Sequence, residues 1–154
     1  MSDMQKTIFL VDDSSVNLLM GKNVLSGAYN VFTTISGVNL FQALENTTPD
    51  LILLDIELPE MNGYEILKRL KDNASTAAIP VVFLTSLKSD EARRKGLSMG
   101  AADYITKPFL PMLLLKCVEL HIRIAEEEAN VAATAKNTPE ATVVLQVPKV
   151  RATL

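Results

Sequence analysis

The chain has 154 residues, 48% of them apolar and 21% charged, with a formal net charge of −3, which is the balance of one ordinary globular domain with a short remainder. So mild a charge gives no basic footprint for nucleic acid and no polybasic patch for lipid. The first apolar run, Ile8–Val11, is too short for a signal peptide and no stretch approaches the ~20 apolar residues of a bilayer-spanning helix, so a cytoplasmic location without membrane contact is expected.

In chain order, Thr7–Val11 forms a short apolar strand that ends at Asp12-Asp13. Asp13, Ser14 and Ser15 can each cap the helix predicted over Val16–Leu25, which Gly27 stops. Tyr29–Ile35 alternates and is rich in β-branched residues, as a strand requires. Leu40, Phe41 and Leu44 mark a short helix ending near Thr47–Pro49. Leu51–Leu54 is apolar throughout and ends at Asp55, the pattern of a strand in the middle of a parallel sheet. Pro59 and Asn62-Gly63 punctuate the following loop. Tyr64, Ile66, Leu67 and Leu70 carry a helix, and Val81–Leu84 forms a strand that reaches Thr85. Asp90–Met99 is helical and closes at Gly100, and Asp103–Ile105 is a strand running up to Lys107-Pro108. A long last helix begins at Leu110. Five alternations of strand and helix with short connections predict an α/β fold, a five-stranded parallel sheet with helices on both faces.

In such a sheet ligands bind beyond the carboxyl ends of the strands. Four strand ends here carry polar residues: Asp12 and Asp13, Asp55, Thr85, and Lys107. One such residue alone has an ordinary structural explanation, since a single Asp caps a helix or sits in a turn and a single Lys is solvated. Their coincidence on one edge has no structural requirement behind it. Three clustered carboxylates repel one another, and a hard divalent cation such as Mg²⁺, which favours oxygen ligands, relieves the repulsion. A carboxylate nucleophile beside Mg²⁺, an ammonium and a hydroxyl is equipped for phosphoryl transfer.

The stretches Val11-Asp12-Asp13, Leu54–Gly63, Leu84-Thr85-Ser86 and Gly100–Phe109 make the chain resemble the receiver domains of two-component signalling, from about Lys6 to about Ala125. The resemblance implies a flavodoxin-like, doubly wound sheet of order 2-1-3-4-5. It implies that Asp55 accepts a phosphoryl group from a phosphohistidine on a sensor kinase or phosphotransfer protein. Asp13, Asp55 and the backbone carbonyl of Glu57 would ligate Mg²⁺, with Asp12 acting through water. Lys107 would pair with the phosphoryl oxygens, Thr85 would move to bond the phosphate, and Tyr104 would rotate inward behind it. The Lys107–Pro108 bond is expected to be cis. Such a chain is a signalling switch that catalyses only its own phosphorylation and dephosphorylation. Glu57 and Leu87 occupy the positions that tune phosphate lifetime, with effects that do not sum simply, and small Ser86 leaves room beside the phosphate.

Three other readings compete. A haloacid-dehalogenase-type phosphatase would use Asp55 and Glu57, but Pro59 stands where a Thr or Val is expected and Asp12-Asp13 goes unexplained. A flavin or nucleotide module needs a phosphate-cradling loop after the first strand, where this chain has two acids. A docking domain independent of phosphorylation leaves the whole site without purpose.

Cys117 is the only cysteine and has apolar neighbours; it is expected to be a small core residue, with nothing nearby to stabilise a thiolate. His121 is the only histidine and is expected on the last helix's surface or at an interface. Met20, Met61, Met99 and Met112 fit core filling or loop packing. The domain is expected over residues 1–125, with residues 126–154 a helical extension and a flexible tail. The helix can continue to about Lys136 on Ala and Glu, either solvated or paired with a second copy as a dimer stalk. Asn137-Thr138-Pro139 breaks it, and Thr142–Val147 is β-prone with no local strand to pair with. No DNA-binding or catalytic output module fits in so few residues, so output is expected through a protein partner or a separate output domain.

Overall fold

A computed structural model describes residues 5–137. Five strands alternate with five helices: β1 (Thr7–Val11), α1 (Ser15–Leu25), β2 (Asn30–Thr34), α2 (Gly37–Leu44), β3 (Leu51–Leu54), α3 (Gly63–Asp72), β4 (Val81–Thr85), α4 (Asp90–Ser98), β5 (Asp103–Thr106) and α5 (Pro111–Asn137). The strands form one parallel sheet of order β2-β1-β3-β4-β5, the order the resemblance implies.

The period-2 alternation of side chains along a strand builds two cores from one sheet. Phe9, Val11, Ile52, Leu54, Val81 and Phe83 face one side, where Leu40 of α2 and Ile66, Leu67 and Leu70 of α3 cover them. Ile8, Leu10, Leu51, Leu53, Val82 and Leu84 face the other, beneath Leu18 and Leu25 of α1 and Leu114, Val118 and Ile122 of α5. Every residue of β3 and β4 is buried, which explains why both strands are apolar without alternation. Edge strand β2 is mostly exposed; its Phe32 stacks on Phe9 at 5.7 Å between ring centroids.

Element ends differ from the sequence expectation by a residue or two where caps decide them. Ser14, not Asp13 or Ser15, caps α1 by accepting from the Asn17 N–H, so the helix starts one residue early. Helix α2 ends at Leu44 because Glu45, Asn46 and Thr47 turn back onto Gln42 and Ala43 through their N–H groups. Strand β2 is shorter than Tyr29–Ile35, since only Asn30–Thr34 finds partners on β1. Strand β5 gains Thr106, which pairs with Thr85. The last helix begins at Pro111, whose missing N–H costs nothing at that position.

Residues up to Ile122 form one compact unit, and Arg123 begins a second. The described part of the second is helical up to Asn137, as expected from its Ala and Glu content, and mostly exposed up to Ala135. Thr142–Val147 and the rest of the tail expectation lie outside the described residues. Among the described residues no helix is long and apolar enough to cross a membrane. Met61 and Met99 pack against the core as expected, whereas Met20 and Met112 are exposed on α1 and α5.

Candidate functional site

The register brings the strand ends level. Val11 pairs with Leu54, so Asp12 and Asp55 leave the sheet side by side, and the Asp55 N–H extends the ladder by donating to the Val11 carbonyl at 3.0 Å. Asp12 is pinned by the Ser14 N–H, which donates to its Oδ1 at 2.9 Å. Asp12 and Asp55 are buried and Asp13 is exposed. Carboxylate oxygens of all three lie within 4.8 Å of one another.

Lys107 reaches this cluster from the end of β5, where its N–H donates to the Thr85 carbonyl at 2.8 Å. Its ammonium donates to Asp12 Oδ2 at 2.6 Å and to Asp55 Oδ2 at 3.4 Å, with only 9% of the side chain exposed. The Lys107–Pro108 bond is cis, as the resemblance implies. Two buried carboxylates thus share one ammonium, and the exposed Asp13 carboxylate lies beside them.

The loop after β3 folds tightly over Asp55. The Glu57 N–H donates to Asp55 Oδ1 at 3.3 Å, and Glu60 adopts a positive φ of 67°. Asn62 caps α3 in a reciprocal capping box with Glu65. Gly63 then passes so close beneath Asp55 that a Cβ there would lie 2.5 Å from the Asp55 carbonyl oxygen. The sequence marked Asn62-Gly63 only as turn punctuation. The Asn-x-x-Glu spacing was the signal for the cap, while the close approach that demands glycine is visible only in three dimensions.

Thr85 is fully buried, and its hydroxyl accepts from the Leu87 N–H at 3.4 Å. The Leu87 carbonyl in turn accepts from the Tyr104 hydroxyl at 2.8 Å. Tyr104 therefore already points inward, 3% exposed, with its ring edge on Phe83. Burial, reinforced by neighbouring Tyr64, Asp55 and Glu57 against the opposing Arg93, pushes its hydroxyl above the ordinary tyrosine range, so it remains a donor at neutral pH. Arg93 of α4, which sequence reasoning missed, donates to the Tyr104 carbonyl at 3.3 Å and lies 5.8 Å from its ring centre. Tyr64 ties the same helix by donating to the Ala92 carbonyl at 3.1 Å. The expected side chains gather at one edge of the sheet: Asp12, Asp13 and Asp55 clustered together, Lys107 on Asp12 and Asp55, and Thr85 and Tyr104 linked behind them through Leu87.

Residues 8–119 match the response regulator receiver domain family. Response regulator PleD of Caulobacter vibrioides is 36% identical over 112 residues, which are 72% of this chain and 25% of that protein. The alkaline phosphatase synthesis transcriptional regulatory protein PhoP of Bacillus subtilis is 32% identical over 143 residues, 92% of this chain and 59% of that protein. This chain therefore spans a quarter of one relative's length and three fifths of the other's. The crystal structure of a CheY-like response regulator receiver domain protein from Methanospirillum hungatei superimposes with a TM-score of 0.74 at 30% identity, over 80% of this chain and 98% of that one. Fold, strand-end chemistry and sequence agree: the chain belongs to the response regulator receiver domain family.

Proposed function

We propose that Asp55 is the phosphoacceptor of this receiver, taking a phosphoryl group from the phosphohistidine of a sensor kinase or phosphotransfer protein. The observation that carries the reading is the cluster itself: three carboxylates within reach of one another, two of which, Asp12 and Asp55, share the ammonium of a nearly buried lysine. Asp55 supplies the attacking oxygen, and Lys107 holds charge on the incoming phosphoryl oxygens from its place between Asp12 and Asp55. Thr85 and Tyr104 then relay occupancy to the start of α4 through Leu87, whose N–H and carbonyl both take part.

The donor set fits Mg²⁺. It is all oxygen, clustered within 4.8 Å and only partly neutralised by Lys107. Asp13, Asp55 and the Glu57 carbonyl would hold the ion, with Asp12 reaching it through water. When bound, it neutralises charge on the carboxylates and the phosphoryl group. The protein turns over no external substrate beyond its own phosphoryl group. Its output is a protein contact or an output domain, and the exposed Ile124 and Val131 of the second unit give a second copy an apolar line on which to pair. Calorimetric Mg²⁺ titration tests the site: Asp13→Ala is expected to bind at least ~10-fold more weakly than the native chain. Native-like affinity would refute the assignment.

A further inference from the structure

The chain's single cysteine and single histidine sit four residues apart on α5, so they share a helix face. That face meets Asp103, the first residue of β5, at the amino edge of the sheet and away from the phosphoacceptor. His121 Nε2 lies 3.0 Å from Asp103 Oδ2, and Cys117 Sγ lies 3.5 Å from the same oxygen. One donor atom from each of the three residues falls within 4.8 Å of the other two. We infer that Asp103, Cys117 and His121 form a second cation site, selective for a zinc-like divalent ion and independent of the acidic Mg²⁺ site.

The geometry suits that ion. Around a tetrahedral zinc with bonds of ~2.0 Å to oxygen or nitrogen and ~2.3 Å to sulfur, an O–N edge spans about 3.3 Å and an O–S edge about 3.5 Å. The two measured separations are already close to these edges. The chemistry sorts the two sites as well. Thiolate and imidazole favour zinc over magnesium, whereas the Asp12, Asp13 and Asp55 cluster offers only hard oxygens. Three protein ligands leave a fourth position open, and Asp103 and Cys117 also line a groove of about 400 Å³ shared with Arg93, Tyr104 and Leu113. On binding, the ion takes the Cys117 sulfur lone pair and the thiol proton leaves to solvent. The carboxylate and thiolate then balance its two charges. Without a metal, burial and the adjacent Asp103 hold the thiol up at about 12, so it stays a protonated, unreactive core group. The bound ion would join α5 to the strand that carries Tyr104.

Cobalt(II), which reports thiolate ligation by a near-ultraviolet charge-transfer band, is the probe. The full, reduced chain is titrated with Co²⁺ in excess Mg²⁺, which keeps the acidic site filled. One equivalent is expected to raise the thiolate band and Zn²⁺ to abolish it by displacement. Cys117→Ser should lose the band, His121→Ala should bind at least ~10-fold more weakly, and Asp55→Asn should behave as the native chain. Absence of the band in the folded native chain would overturn the proposal, as would a band that survives Cys117→Ser or disappears in Asp55→Asn.

Discussion

Lys107→Met separates a buried, charge-balancing lysine from an incidental surface one. The side chain is 9% exposed and its ammonium contacts two carboxylates at 2.6 and 3.4 Å that are themselves almost fully buried. Methionine keeps much of the length but removes the charge, leaving Asp12 and Asp55 without their shared cation beside Asp13. Breaking a buried pair by deleting one partner costs about 3–5 kcal/mol. The lower end applies here, because Asp13 is exposed and water reaches the cluster from that side, so we expect about 3 kcal/mol, or roughly 10 °C in Tm for a unit of this size. The assay is urea unfolding of native and variant chains with a chelator and again with saturating Mg²⁺. Because the variant's cluster is more negative, Mg²⁺ should stabilise it more than it stabilises the native chain, narrowing the gap. A loss below about 1 kcal/mol, the value of an exposed ion pair, or an equal Mg²⁺ effect on both chains, would refute the reasoning.

Gly63→Ala places a Cβ 2.5 Å from the Asp55 carbonyl oxygen and 2.7 Å from the Ile56 Cα. Both are backbone atoms that cannot swing aside, so about 2 kcal/mol of stability is lost and phosphoryl uptake slows; a native urea midpoint would contradict this. Tyr104→Phe deletes the hydroxyl that donates to the Leu87 carbonyl and should cost about 1 kcal/mol, while the rate of phosphoryl uptake by Asp55 stays native. At Asp103 burial raises the carboxyl's pKa, but the hydrogen bonds from His121, the Tyr104 N–H and Cys117 outweigh it and hold the group below its ordinary 3.8. A depressed carboxyl stabilises the fold above pH 3.8 and loses that contribution as pH falls through its lower folded value. Asp103→Asn should therefore show a shallower fall in urea midpoint below pH 3.8 than the native chain, and an unchanged slope would remove the role.

The site was legible because its residues follow immediately on strands whose apolar runs announce them. Leu51–Leu54 reads as a central strand and Val81–Leu84 as another apolar one, so in a parallel sheet Asp55 and Thr85 share an edge with Asp12. Chain ends of elements were less legible, since Ser14, Asn62 and Pro111 decide them by one or two local hydrogen bonds or their absence. Long-range side-chain pairings were not legible at all. His121 was expected at the helix surface or an interface, with no partner foreseen, and it is drawn onto Asp103, eighteen residues away in sequence, and Arg93 onto the Tyr104 backbone. The four-residue step from Cys117 to His121 marks a shared helix face, but only the packing of α5 on β5 reveals the carboxylate opposite. Tyr104, which the resemblance has rotating inward behind the phosphate, lies inward here. Its hydroxyl has the Leu87 carbonyl as an acceptor and its ring has Phe83 as a packing partner, so this rotamer needs no phosphate to be satisfied.

The most direct test of the phospho-switch is the intact mass of the chain after incubation with acetyl phosphate, with Mg²⁺ or with EDTA. The account predicts one added phosphoryl group on the native chain with Mg²⁺, none with EDTA, and none on a folded Asp55→Asn variant. A phosphoryl group gained equally by Asp55→Asn, or by the native chain in EDTA, would contradict it.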